Sequence, residues 1–224
     1  MTDNIEKGIF EKEMSNRFQC VIYLNGVYRV CYIASSCRLS NFIDLKGRKV
    51  LLTQNKSNKA KTQYSLYAVK YKRNYIILNS LVSNKIIEEQ LSSRRFSFLG
   101  KRNHIKRECN IEGYKSDFYI EDSRTLIEVK SMISISKIAV HPSIYSERAL
   151  KQLEKISSLL DCGYKAVYIF AALNPYIIAV DLLHETPFFR LLNECMNKGM
   201  KVIGYSIQMK NMHPEIKKRI DINI

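Results

Sequence analysis

Residues 116 to 131, SDFYIEDSRTLIEVKS, constrain the fold more than any other stretch, because two β-prone runs flank a polar turn. If the Asp122-Ser123 pair forms the centre of that turn, Asp117 and Glu128 lie directly opposite each other. Period-two alternation then puts Lys130 on the same face as Glu128, while the other face is uniformly apolar. A slip of one residue would send the two acids to opposite faces. The stretch therefore predicts a hairpin with three charged groups on one face.

Two opposed carboxylates repel each other unless a cation lies between them. A hard divalent cation with oxygen ligands, Mg²⁺ or Mn²⁺, would resolve this conflict, so we expect Asp117 and Glu128 to be metal ligands. Lys130 would then orient the attacking water or stabilise charge that develops on a phosphate. The alternative is an exposed hairpin whose outer face simply carries a lysine and two acids.

The first 80 or so residues have the pattern of a small all-β unit. Residues 18–33 contain two β-rich runs around Asn25-Gly26, a pair that suits a type I′ turn. Further strands are predicted at 48–54, 62–70 and 74–79. Five short strands with basic loops are typical of an OB-type barrel, although other small barrels fit the same composition.

The pattern changes after this unit. The spacing of apolar residues predicts helices at 83–93, 146–163 and 186–200, with Ser83 and Ser146 as N-caps. Strands are predicted near 105–112, at 116–120, 125–131, 165–173 and 201–208. Alternating strands and helices indicate an α/β domain with some parallel pairing. The sequence therefore predicts an all-β domain over 1–82 and an α/β domain over 83–224.

The positive charge is concentrated in one block. The net charge is +15; residues 1–44 are neutral, residues 45–107 carry +14 and residues 108–224 carry +1. This distribution favours a binding surface for a polyanion, and nucleic acid is the partner that we expect. A merely basic protein is the alternative. Within the barrel region the cations alternate with Tyr64, Tyr67, Tyr71 and Tyr75, of which at least half should pack in the core.

The remaining composition indicates a reducing compartment. The six cysteines show no Cys-x-x-Cys pair, so we expect neither a disulfide framework nor a zinc site. The N-terminus has early acids and no apolar stretch, unlike a signal peptide. The most hydrophobic segment, residues 164–183, is interrupted by Asn174-Pro175 and is short of a membrane span. These features predict a cytoplasmic protein without a membrane partner.

The hairpin and the elements around it resemble the PD-(D/E)xK nuclease core. The segments RFQCVIYLNG, RECNIEGYKSDFYI, LIEVKSM, YSERALKQLEKI and NKGMKVIGYSIQM also occur in the order and spacing of the sugar fermentation stimulation protein A family, over essentially the whole chain. The resemblance implies an OB-like N-terminal domain, a nuclease-like C-terminal domain, nucleic-acid binding and metal-dependent nuclease activity.

The resemblance also implies roles for individual residues. Asp117, Glu128 and Lys130 take the three core positions, and Glu89 matches an acid that completes the metal site. Gln152 joins the catalytic set, and Glu108 matches an acid before the Asp strand. The residues expected to contact nucleic acid are all cationic: Arg38, Lys46, Arg48, Lys49, Lys56, Lys59, Lys61, Lys72, Arg73, Lys115, Arg148 and Lys151.

Several loops depart from the family pattern. The loop that resembles Pro-Asn-x-Gly-Arg is Ala34-Ser35-Ser36-Cys37-Arg38 here, and the Ser-Arg before the Asp-Phe pair is Tyr114-Lys115. A Phe-Pro-Asp segment becomes His141-Pro142-Ser143.

Together, the acidic pair, the basic block and the resemblance predict a Mg²⁺- or Mn²⁺-dependent DNA nuclease. The alternatives are a DNA-binding regulator of sugar-metabolism genes that keeps the nuclease fold without turnover, and an adaptor without chemistry. A monomer and a homodimer are both open.

Overall fold

A computed structural model describes residues 5–35, 38–57 and 59–224. Cys37, in the divergent loop, lies outside these ranges. The strands and helices, with their bounds, are β1 (Ile5–Glu13), β2 (Gln19–Leu24), β3 (Val27–Tyr32), β4 (Lys49–Gln54), β5 (Tyr64–Tyr71), β6 (Asn74–Ile77), α1 (Val82–Gln90), β7 (Ile105–Ile111), β8 (Tyr114–Ile120), β9 (Thr125–Met132), β10 (Ile138–His141), α2 (Glu147–Asp161), β11 (Lys165–Ala172), β12 (Ala179–Leu182), α3 (Pro187–Asn197), β13 (Lys201–Lys210) and β14 (His213–Asn223).

The N-terminal strands form a barrel. Their order is β3-β2-β1-β4-β5-β6, and a parallel contact between β3 and β5 at Tyr32↔Ser65 closes it. The predicted β2–β3 turn is confirmed, because Asn25 and Gly26 both have positive φ, 51° and 85°. Gly8 in β1 is required by space, since a Cβ there would lie 2.5 Å from Cγ2 of Ile22.

The C-terminal sheet has eight strands in the order β10-β12-β14-β13-β11-β9-β8-β7. The central β9, β11 and β13 are parallel, whereas β7, β8 and β9 are antiparallel. Helices α2 and α3 cover one face, where Leu153 and Leu192 are fully buried. This mixed sheet flanked by helices, preceded by an all-β barrel, confirms the predicted fold class.

The opposite face of this sheet packs against α1 and the barrel. The core there joins Leu51 and Ile77 of the barrel with Ile87 of α1 and Ile169 of β11. The Ile77 amide also donates to the Leu173 carbonyl oxygen at 2.9 Å. One continuous core therefore holds the barrel on the sheet. No helix in the described ranges is long and apolar enough to cross a membrane.

Several local predictions need correction. No strand was predicted for β1, β10, β12 or β14, so the barrel region has six strands rather than five. The predicted N-cap Ser83 lies inside α1; it is buried, and its hydroxyl donates to the Ser80 carbonyl oxygen at 2.7 Å. The N-cap at Ser146 is confirmed, since its hydroxyl accepts from the Ala149 amide. The five cysteines that the structure describes are all free.

We expect Ile77→Ala to lower the free energy of unfolding by about 2–5 kcal/mol, because it leaves a cavity in the core that both sheets share. Unfolding should remain a single transition, measured in urea by far-UV circular dichroism and by tyrosine fluorescence. Ile178→Ala, at an exposed position, should change the free energy by no more than about 0.5 kcal/mol. Two separate transitions, with only one shifted by Ile77→Ala, would contradict the shared core.

Candidate active site

The hairpin of β8 and β9 has the predicted register. Phe118 pairs with Ile127 and Ile120 with Thr125, so the same register places Asp117 opposite Glu128. The turn is a short 3₁₀ segment, Glu121–Ser123, followed by Arg124 in a left-handed conformation. The apolar side chains of the hairpin (Phe118, Ile120, Ile127 and Val129) all belong to the core under the barrel and α1. The predicted apolar face is therefore confirmed; Glu128 contacts Gln152 of α2, whereas Asp117 contacts Asn84 of α1.

The turn itself is fixed by one carboxylate. Asp122 accepts hydrogen bonds from the backbone amides of Asn103 and His104, each at 2.8 Å. These bonds tie the turn to the segment that enters β7, and they lower the pKa of Asp122. Since register follows from turn geometry, this contact helps to keep the acids of the hairpin on a common face.

Asp117 is partly buried at the point where the strand pairing of β8 becomes irregular. One carboxylate oxygen accepts from Nδ2 of Asn84, and the other accepts from the Val129 amide, each at 2.8 Å. Burial raises the pKa of Asp117, and these two hydrogen bonds and the charge of Arg148 oppose the rise. Asp117 is thus held in a fixed orientation in a site that disfavours its charge.

Glu128 is the more deeply buried acid, with 8% of its surface exposed. Its Oε1 accepts from Nε2 of Gln152 at 2.8 Å, and its Oε2 accepts from the Tyr114 hydroxyl at 2.5 Å. Burial, followed by the charge of Asp117, raises the pKa of Glu128 to about 7. The site therefore holds two neighbouring carboxylates, and the charge of Asp117 disfavours the ionised form of Glu128.

Two cations border this acidic pair. Lys130 lies two residues after Glu128 in β9, so it shares its face, and its charge lowers the pKa of Glu128. Arg148, in the first turn of α2, lowers the pKa of both acids. The Ser146 cap fixes the start of this helix. Arg148 and Gln152 are four residues apart and therefore lie on the same face of the helix, the face from which Gln152 contacts Glu128.

The donor set fits a hard divalent cation. Each of the four carboxylate oxygens of Asp117 and Glu128 accepts a hydrogen bond, and a carboxylate oxygen carries two lone pairs. Mg²⁺ commonly binds through one or two carboxylates plus water and substrate phosphates. In the described part of the chain, no three His, Cys, Asp or Glu side chains form a closed metal cluster. The arrangement is therefore an open, two-carboxylate site.

The predicted third acid is not part of this geometry. Glu89 is exposed, and it lies about 140° around α1 from Asn84, the helix residue that contacts Asp117. Glu88 is closer to that face and forms an ion pair with Arg107 at 3.0 Å. Glu108 pairs with Lys115 at 2.5 Å. The charge of Glu108 raises the pKa of Asp117, so Glu108 lies near the acidic pair, whereas Glu89 points away from it.

Apart from Arg148, which is exposed and borders the acidic pair, the predicted nucleic-acid residues fall into two groups. Those on β4 and the barrel loops are exposed: Lys46, Arg48, Lys49, Lys56, Lys59, Lys61, Lys72 and Arg73. Three others have structural partners: Arg38 donates to the carbonyl oxygens of Met14 and Ser15, Lys115 pairs with Glu108, and Lys151 pairs with Glu147. Of the four interleaved tyrosines, Tyr64 and Tyr67 are buried, as expected for half of them.

Two residues of the site were missed by the sequence analysis. Asn84 and Tyr114 each bind one of the acids. Strict alternation would place Tyr114 on the face of Phe118, but Tyr114 belongs to the core under α2 and Phe118 to the core under the barrel. Pairing between β7 and β8 is interrupted at Glu108, whose φ is 49°, and at Asp117 opposite it. This irregularity lies between Tyr114 and Phe118 along β8, where the side chains change face. No periodic signal could have revealed this change of face.

Comparisons with known proteins match both the barrel and the α/β domain of this chain to one family. A family model described as "SfsA N-terminal OB domain" matches residues 13–78, and one described as "Sugar fermentation stimulation protein RE domain" matches residues 81–213. A sugar fermentation stimulation protein homolog of Clostridium kluyveri is 31% identical over 173 residues, covering 75% of this chain and 74% of the relative. A homolog of Ruminiclostridium cellulolyticum is 25% identical and covers 99% and 98%.

A solved structure shows the same fold. It is described as the structure of Pyrococcus furiosus SfsA in complex with Ca²⁺, and it matches with a TM-score of 0.87 at 20% sequence identity. The match covers 99% of this chain and 96% of that one. The barrel and the mixed sheet therefore have the arrangement seen in that protein.

We expect Glu128→Gln to stabilise the metal-free protein at high pH. The folded-state pKa of about 7 lies above the ordinary value of 4.5, so the proton of Glu128 favours folding at low pH, and this contribution is lost as the pH rises from about 4.5 through 7. Relative to wild type, the variant should gain on the order of 1–3 kcal/mol between pH 5 and pH 8, measured by urea unfolding in EDTA. The exposed Glu185→Gln should show no such gain. A pH-independent difference for Glu128→Gln would be evidence against two uncompensated acids.

Proposed function

The chain belongs to the sugar fermentation stimulation protein family, and it holds a buried and a partly buried carboxylate close together beside a lysine. We therefore propose that it binds nucleic acid and hydrolyses its phosphodiester bonds with Mg²⁺ or Mn²⁺. DNA is the proposed substrate. The observation that carries this proposal is the pairing of Asp117 and Glu128 on one face, since two desolvated carboxylates are costly unless a cation joins them.

Asp117 and Glu128 would hold the metal ion. When bound, a divalent cation of this kind polarises a phosphoryl oxygen and lowers the pKa of a coordinated water. The Pyrococcus furiosus protein was solved in complex with Ca²⁺, a cation that takes the same class of oxygen ligands. Glu89, expected from the sequence to complete the site, would need a movement of α1 to reach it.

The surrounding residues have separate tasks in this proposal. Tyr114 and Gln152 orient the Glu128 carboxylate, and Asn84 orients that of Asp117. Lys130 places an ammonium beside the acids, where it can hold the attacking water or stabilise charge on the phosphate. Arg148 is exposed at the start of α2 and is positioned to bind a phosphate of the strand.

The barrel would supply most of the affinity. Its exposed cations belong to the block that carries nearly all of the net charge, and Lys72 lies over the rings of Tyr71 and Tyr176 at 5.3 and 5.1 Å. Contacts of this kind neutralise phosphates without reading sequence. We therefore propose binding with little sequence preference.

The hydrolytic step can be tested with labelled DNA in Mg²⁺, Mn²⁺ or EDTA. We expect cleavage in either metal and none in EDTA, and a loss of at least about 10²-fold in rate for Glu128→Ala and for Lys130→Ala, because each removes a group that acts on the transition state. Glu185→Ala and Lys165→Ala, which are exposed elsewhere, serve as matched controls. DNA binding without cleavage under any condition would favour the regulator that retains the fold.

The binding surface can be tested by salt dependence. Replacing Lys46, Arg48 and Lys49 by Gln should reduce the slope of log affinity against log salt by about 2–3, because three phosphate contacts are lost. The control replaces Lys155, Lys165 and Lys218, which are exposed on the α/β domain, and changes the net charge equally. Equal slopes for the two triple variants would remove the barrel cations from the binding surface.

A further inference from the structure

Tyr176 joins the barrel and the α/β domain at one point of the surface. It lies in the turn between β11 and β12, where Oδ1 of Asn174 accepts from its amide at 3.0 Å and Nδ2 of Asn174 donates to the Ser134 carbonyl oxygen at 2.7 Å. The hydroxyl of Tyr176 accepts from the amide of Arg73, in the β5–β6 turn of the barrel, at 3.2 Å. The ring is therefore fixed from both sides of the domain junction.

Two ammonium groups meet at this ring, one from each domain. The Lys72 ammonium, from the barrel, lies 5.1 Å from the centre of the Tyr176 ring and 5.3 Å from that of Tyr71. The Lys217 ammonium, from β14, lies 5.4 Å from the centre of the Tyr176 ring and donates to the Pro175 carbonyl oxygen at 2.8 Å. Since the face of an aromatic ring attracts cations, Tyr176 holds two like charges near each other.

The positive charge at this junction is not compensated within the described part of the chain. No carboxylate there forms an ion pair with Lys72, Arg73 or Lys217. All three residues are exposed, so their charges are accessible to a partner. Grouped cations without counter-charges create a local positive potential, which attracts a polyanion.

A loop leads from this junction to the acidic site. The hydroxyl of Tyr71 donates to the Ile135 carbonyl oxygen at 3.3 Å, and the exposed Lys137 adds a cation two residues later. Ser134 and Lys130 line the same cavity between the domains. From Lys130 to Ile135 the chain spans at most about 18 Å. Because one strand of duplex DNA carries a phosphate about every 3.4 Å, about five phosphates cover this distance.

We propose that Lys72, Arg73 and Lys217 form a phosphate clamp around Tyr176, at which a nucleic-acid backbone passes from the barrel to the α/β domain. The inference rests on the proposed function, and it names the place where one strand contacts both domains. Contacts to phosphates carry no sequence information, so the clamp should act on any sequence. A second copy of this chain is a poorer occupant, because it brings a net charge of +15 to a group of cations.

The first test measures binding in EDTA, so that cleavage does not contribute. A fluorescein-labelled duplex of about 20 base pairs is titrated at several salt concentrations and followed by anisotropy. Lys217→Gln should reduce the slope of log affinity against log salt by about 0.9, because one phosphate contact is lost. Lys218→Gln, at the exposed neighbour in β14, removes the same charge and should leave the slope unchanged.

The second test concerns the ring. Tyr176→Leu keeps every charge but removes the ring face that attracts Lys72 and Lys217, so the affinity should fall about threefold. Tyr176→Phe keeps that face and should stay within about twofold of wild type. These two variants are compared after their thermal unfolding matches wild type. If Tyr176→Leu does not fold, the salt slopes of Lys217→Gln and Lys218→Gln still decide the clamp.

The outcomes separate the clamp from the hydrolytic proposal. Equal slopes for Lys217→Gln and Lys218→Gln, with metal-dependent cleavage intact, would overturn the clamp and leave the nuclease standing. A slope that depends on Lys217, without cleavage in any metal, would support the clamp and overturn the hydrolysis. Binding of an oligoglutamate of equal charge, with the same dependence on Lys217, would overturn nucleic acid as the occupant.

Discussion

The burial of the Asp117 and Glu128 carboxylates beside each other is the constraint on which the rest of the site depends. Both groups are withdrawn from water and both have raised pKa values, so the fold stores unfavourable electrostatic free energy at this point. Hydrogen bonds from Asn84, Tyr114 and Gln152 keep the acids from turning away. Perturbed pKa values of this kind cluster at functional sites.

The position of the barrel gives this site its surroundings. Because β4, β5 and β6 share a core with one face of the C-terminal sheet, the barrel is fixed beside the ends of β9 and β10. The cavity at Lys130 exists only through this contact, since Arg17 and Phe42 form one side of it. The exposed barrel cations, which we propose bind a polyanion, and the acidic pair, which we propose carries the chemistry, are thereby held in one unit.

Much of the fold could be predicted because its patterns are local. The Asn25-Gly26 turn, the Ser146 cap and the hairpin register each follow from a few consecutive residues, and all three are confirmed. The missed strands have local reasons as well. In β14, Ile216 and Ile220 have even numbers but pack on opposite faces, because the register shifts between them. A bulge of this kind erases the alternation from which a strand is recognised.

The sequence by itself determined which residue types could bind a cation and that Asp117, Glu128 and Lys130 share one face, because strand periodicity and turn chemistry are short-range properties. Only the tertiary structure decided that α1 presents Asn84 rather than Glu89 to the site, that Tyr114 turns toward Glu128, and that His141 lines a cavity next to Lys130. Those facts depend on how helices rotate and domains pack, and packing joins residues whose distance along the chain carries no periodic signal.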